Sequence, residues 1–135
     1  MSPTTTHKLT GDTFHNLSIE KAFKTLNTAL DSNRISKRDY DLISEYINLK
    51  RGCSQITISR IRKLVYHLTT WRKYIGEYES NTIGDLARGI LVLENSKTVK
   101  GTEFSPETLS DYIHIIKQFY KWLIDEGLLI SLKNR

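Results

Sequence analysis

Ser54-Gln-Ile-Thr-Ile-Ser-Arg-Ile-Arg-Lys-Leu-Val-Tyr-His-Leu-Thr-Thr-Trp-Arg-Lys-Tyr-Ile75 is the stretch whose reading decides the fold. Its apolar residues Ile58, Ile61, Leu64, Val65, Leu68, Trp71 and Ile75 recur every three or four positions, which predicts one buried stripe along a helix of roughly six turns. Ser54 is placed to cap it. The opposite side of the same period gathers Ser59, Arg62, Lys63, Tyr66, Thr70 and Lys73, with Arg60 and His67 on the flank. That outward face carries bases and no acid.

Upstream, Ile19, Ala22, Phe23, Leu26, Ala29 and Leu30 predict a short helix from about Ser18 to Asp31-Ser32-Asn33. Ser36-Lys-Arg-Asp39 has the form of a capping box and opens a second helix over 36–50, which Arg51-Gly52 is expected to stop. Downstream, Thr82-Ile-Gly-Asp85 is a second capping box, opening a helix over 82–95 that Gly84 and Gly89 weaken. Ser105-Pro106-Glu107 then supplies an N-cap, a proline at the first helical position and an acid at the positive end of the dipole. Leu109, Tyr112, Ile113, Ile116, Phe119, Tyr120 and Leu123 carry the buried stripe of this last helix to Gly127. Residues 1–16 read as a flexible arm, 17–127 as the helical domain, and 128–135 as an apolar stub uncovered by the rest of the chain. The fold class is all-α, a small bundle of four to five helices.

The net charge of +5, from 20 Lys and Arg against 15 Asp and Glu, is unevenly placed. The 31 residues from Tyr46 to Gly76 contain no carboxylate and seven bases, Lys50, Arg51, Arg60, Arg62, Lys63, Arg72 and Lys73, while the rest of the chain sums to −2. A concentrated basic segment is what attraction to a polyanion requires, because each neutralised phosphate releases counterions. Ser54, Gln55 and Thr57 add donors at a helix start. The last helix has a second outward face of Ser110, His114, Lys117, Gln118 and Lys121, with Glu107, Asp111 and Asp125 nearby.

Other chemistry lacks its residues. One cysteine, Cys53, forms no intramolecular disulfide and no cysteine-based metal site, and a packing role between helices is the simplest one for it. His7, His15, His67 and His114 have no metal-pair spacing, and no glycine-rich phosphate loop occurs. Neither a cofactor nor a metal is expected. Tyr66 and Tyr120 lack the clustered bases that activate a phenol. No run approaches the roughly 18 apolar residues of a membrane span, so no membrane partner is expected, and a single cysteine makes a cytoplasmic location the expectation, nucleoid-associated if the basic segment meets DNA.

Ser54-Gln-Ile-Thr57 with its basic helix, and Phe104-Ser-Pro-Glu-Thr108-Leu-Ser-Asp-Tyr112 running through Lys117-Gln-Phe119-Tyr-Lys-Trp122-Leu to Glu126-Gly127, together resemble the N-terminal core-binding domain of tyrosine recombinases, the SAM-like domain of the phage integrase family. The resemblance covers about 36–130. It implies an orthogonal bundle lying on one side of double-stranded DNA, with a C-terminal catalytic domain closing the other side and homo-oligomers forming on the DNA. Thr57, Arg60, Lys63, Thr108, Asp111 and His114 match DNA-facing positions of the family, although an acid at Asp111 departs from its pattern. The family's catalytic residues have no counterpart here, and no H-x-x-R occurs, so the chain is expected to be no enzyme by itself. The expected DNA-contacting set is Arg51, Ser54, Gln55, Thr57, Ser59, Arg60, Arg62, Lys63, Tyr66, Lys73, Thr108, Asp111, His114, Lys117, Gln118 and Lys121. The competing expectation is a helical assembly module, with the first two helices against a neighbouring subunit and no direct DNA contact.

Overall fold

The computed structural model describes residues 11–53, 55–98 and 100–129, with side chains from residue 19. Among these residues five helices make up an all-α bundle: α1 (Gly11–Asp31), α2 (Lys37–Cys53), α3 (Ile58–Thr70), α4 (Ile83–Glu94) and α5 (Pro106–Asp125), with 3-10 turns at Trp71–Lys73 and Tyr78–Ser80. No strand occurs among the described residues, and the only sheet-like feature there is an isolated antiparallel bridge between Lys97 and Glu103.

Local chemistry sets most of the boundaries. In α2 the Asp39 backbone N–H donates to Ser36 Oγ and the Ser36 N–H donates to Asp39 Oδ2, both at 3.0 Å, closing the capping box. Thr82 and Asp85 do the same for α4. Ser105 accepts from the Thr108 N–H ahead of Pro106, and α5 ends in a Schellman motif: Gly127 takes φ +67°, its N–H donates to Ile124 O and the Leu128 N–H to Leu123 O. α1 ends the same way, with Asn33 in the left-handed region at φ 60°.

Three expectations are corrected here. α1 begins at Gly11, so six residues of the predicted arm are helical: after Gly11 nothing in Asp-Thr-Phe-His-Asn breaks a helix, and extending one adds a hydrogen bond per residue fixed. Residues 1–10 and 130–135 lie outside the described part. α3 is capped by Thr57, not Ser54, with Thr57 Oγ1 accepting from the Arg60 N–H at 3.1 Å. Ile56 just before the cap, half-buried against the core, and the fully buried Ile61 are the residue pair of a hydrophobic staple, which selects the later of two possible caps. The apolar stub is also partly covered, because Leu129 is buried and Leu128 packs on the core.

The core joins the stripe of α3 to Leu26, Leu42, Ile43 and Ile47 on one side and to Ile115, Ile116, Phe119 and Leu123 of α5 on the other. Phe119 sits at its centre, edge-on to Tyr46 at 5.0 Å and to Tyr78 at 4.8 Å. Ile115, absent from the expected stripe, is buried, whereas Ile113 is only half-buried. Cys53 is exposed, which removes its expected packing role.

Gly89 has a reason that helix propensity does not show. A Cβ there would lie 2.4 Å from Ile75 Cγ2 and 3.0 Å from the Tyr74 carbonyl oxygen. Gly89→Ala, which in an exposed helix stabilises by about 1 kcal/mol, is expected here to cost about 1–3 kcal/mol through overpacking, read as a lower urea midpoint. A raised midpoint would show that α4 and the 74–75 turn separate freely.

Candidate nucleic-acid interface

α3 and α5 run antiparallel, and their register brings the predicted residues together in order. At one end a cleft of about 370 Å³ is lined by Lys50, Gln55, Thr57 and Arg60 on one wall and His114 and Gln118 on the other. One turn further, Lys63 Nζ meets Asp111 Oδ2 at 2.5 Å and ties the two helices. At the far end Tyr66 and Lys73 share a cleft with Thr108. On its other flank α3 presents Ser59, Arg62 and Tyr66 to a groove of about 440 Å³ beside Ala22 and Thr25 of α1.

The predicted set does not form one continuous patch. Arg51 lies on the last turn of α2, and Lys117 and Lys121 project from α5, with Lys121 3.6 Å from Asp125. Ser54 lies outside the described residues. Thr57 and Ser105 accept as caps through their hydroxyl oxygens, and the Ser105 hydroxyl in turn donates its proton to Thr108 Oγ1 at 2.9 Å. Thr70, expected on the outward face, and His67, expected on its flank, are buried because α5 lies over them, with the His67 ring stacked 3.9 Å from Tyr112.

The charge is smaller than the sequence implies. Arg72 is four residues from Leu68 and seven from Val65, on the buried side of α3, and it stays there through the 3-10 turn after Thr70, where Trp71 O accepts from both Tyr74 and Ile75. Arg72 Nε then donates to the fully buried Asp39 at 2.6 Å and its Nη1 to Ile75 O at 2.8 Å. Arg72 is therefore part of the fold, and Lys63 is matched by Asp111. Lys50, Arg51, Arg60, Arg62 and Lys73 have no ion-pair partner among the described residues. Lys50, outside the predicted set, joins the Arg60 cleft, with its ammonium 5.4 Å from the Tyr46 ring. Its place one turn before the end of α2 was readable, but its closeness to α5 was not.

Comparison with family models, with curated proteins and with solved structures gives no match to this chain. The site thus rests on its own geometry. Among the described residues no group of three His, Cys, Asp or Glu side chains is arranged to hold a metal, and no helix is long and apolar enough to cross a membrane.

The bases also mark a neighbour. Burial pushes the His67 imidazole down to about 4, Lys63 and Arg60 push it the same way, and Asp111 opposes them. Between about pH 4 and 6.5 the unfolded chain therefore binds a proton that the folded chain does not, so stability is present above the window and falls as pH drops through it. Hydrogen bonding from Lys63 holds Asp111 below the usual carboxylate range, so its own loss comes at lower pH. His67→Phe, which keeps the ring on Tyr112 and removes the unpartnered Nδ1, is expected to delete about 1–2 kcal/mol of pH-dependent stability between pH 7 and 4.5. Parallel slopes for both proteins in denaturant titrations across that range would disprove it.

Proposed function

We propose that this chain is the DNA-positioning module of a site-specific tyrosine recombinase, laying α3 and the first half of α5 along the backbone of double-stranded DNA. The observation that carries it is the five bases Lys50, Arg51, Arg60, Arg62 and Lys73, unpaired among the described residues, of which Lys50 and Arg60 share a cleft with the hydroxyl, amide and imidazole donors of Thr57, Gln55, His114 and Gln118. Such residue types grip phosphates and reach base edges. This reading assigns the chain contact and orientation, and no strand cleavage.

With five phosphates neutralised, log K against log salt is expected to fall with a slope of about −4.5, a loss of about 500-fold between 50 and 200 mM salt. At low salt the dissociation constant for duplex DNA is expected to be worse than about 1 μM, as suits a module whose partner domain closes the clamp. Binding without salt dependence, or none at low salt, refutes the proposal.

One observation favours the assembly reading. On α4, Ile83 is 86% exposed, Leu91 59% and Val92 52%, three large apolar side chains spread over its outer surface and at a different place from the first two helices expected to carry the contact. Sedimentation during the same titration separates the two: self-association with no DNA bound selects assembly.

A further inference from the structure

Lys97 and Lys100 lie on the turn joining α4 to α5, a segment that no helical period could place. The antiparallel bridge from Lys97 to Glu103 and the 2.8 Å hydrogen bond between the Thr98 and Thr102 hydroxyls shape this turn. It bends over the end of α3, where its two lysines join Lys73 around a cleft of about 390 Å³. That volume is at the lower end of the roughly 300–1,000 Å³ of small-ligand pockets. The three ammonium groups have no ion-pair partner among the described residues, and Glu103 is the one carboxylate between Asn95 and Phe104.

The walls of this cleft are aromatic. Tyr66, Tyr74 and Phe104 line it, and Phe104 stands edge-on to the buried Tyr112 with ring centroids 5.8 Å apart. Tyr66 is 52% exposed and belongs to both this cleft and the groove between α1 and α3, so the cleft opens onto the proposed DNA face. A duplex would use only half of this chemistry. Its phosphates reach lysines, but its base faces are hidden in the stack and leave the rings without a partner. An unpaired nucleotide offers an anionic phosphate and a flat π-face together, the combination that basic grooves with aromatic platforms hold.

We propose that the cleft bounded by Lys73, Lys97, Lys100, Tyr66 and Phe104 binds an unpaired nucleotide of a DNA strand, its base against the rings and its phosphate on the lysines. The inference rests on the reading of α3 as the DNA face for the strand's path, while the pocket's chemistry stands separately.

Fluorescence anisotropy tests it with three probes: a blunt duplex, the same duplex with a short oligo-dT overhang, and oligo-dT alone. The overhang is expected to bind about tenfold tighter than the blunt end, as stacking of one base supplies. Lys97→Gln with Lys100→Gln, both on an exposed turn and introducing no new repulsion, should remove that preference and leave blunt-duplex affinity within about twofold. Phe104→Leu should weaken oligo-dT alone, with circular dichroism confirming the fold of each variant. Equal binding of blunt and overhang probes by the unaltered protein overturns the inference and leaves the duplex reading standing. An equal loss on both probes in the lysine variant also overturns it, because the lysines are then ordinary backbone contacts. Oligo-dT binding with no duplex binding sinks the duplex reading and keeps the cleft.

Discussion

Asp39→Ala is expected to lower the free energy of unfolding by about 3–5 kcal/mol, a large part of the roughly 5–15 kcal/mol that holds a domain of this kind together. Asp39 is fully buried and accepts three hydrogen bonds: from Arg72 Nε at 2.6 Å, from the Tyr78 N–H at 3.0 Å and from the Ser36 N–H at 3.0 Å. One carboxylate thus fastens the start of α2 to the segment after α3. Its removal leaves the Arg72 guanidinium, 18% exposed, without a counter-charge, and leaves the Tyr78 amide without an acceptor. The cost comes from these stranded groups more than from a lost attraction. Removing both partners, as Asp39→Ala with Arg72→Met, should therefore restore a substantial part of the loss, and equilibrium unfolding in guanidinium of the two singles and the double measures the coupling. Additive losses in the double, or a single loss under about 1 kcal/mol, would mean that the pair does not join α2 to the turn.

The same network shows which parts of the molecule were legible in the sequence. The starts of α2, α4 and α5 were readable because side chain and backbone of residues three apart settle them: Ser36 with Asp39, Thr82 with Asp85, Ser105 with Thr108. The start of α3 was not, because Ser54 and Thr57 are equally good caps and burial of Ile56 chooses between them. Arg72 was counted with the bases of the carboxylate-free segment, although its spacing of four from Leu68 and seven from Val65 puts it on the buried side of the helix, and only the tertiary structure brings Asp39, 33 positions away, beside it. Lys63 and Asp111 are 48 positions apart, so each residue type was visible and their pairing was not. His67 and Thr70 were misplaced for a related reason: α5 covers more of α3 than the apolar stripe alone accounts for. Of the candidate interface, the gathering of bases on α3 was legible; the division into two clefts across an ion pair was not.

That ion pair decides how the DNA face should be tested, and the largest expected functional effect comes from avoiding it. Charge reversal at Lys63 would set two carboxylates against each other across α3 and α5, so lost binding there could reflect a loosened bundle. Arg60 and Arg62 have no such partner and lie on opposite flanks of α3, in the cleft with His114 and in the groove with Ser59. Arg60→Glu with Arg62→Glu takes the net charge from +5 to +1 and replaces two phosphate contacts by two repulsions. Duplex affinity at low salt is expected to fall by about 100-fold or more, and the salt slope to flatten by about 2, with helicity unchanged. Asp111→Asn is the opposite test. It frees Lys63 to meet a phosphate while keeping the shape of the side chain, so affinity should rise severalfold and the slope steepen by about 1. The acid that departs from a DNA-facing pattern would then be a restraint on non-specific binding, since phosphate must displace it to reach the lysine. If Asp111→Asn weakens binding instead, Asp111 touches the DNA itself, as an acceptor for a cytosine amino group, and the register of α5 on the groove has to be redrawn around it.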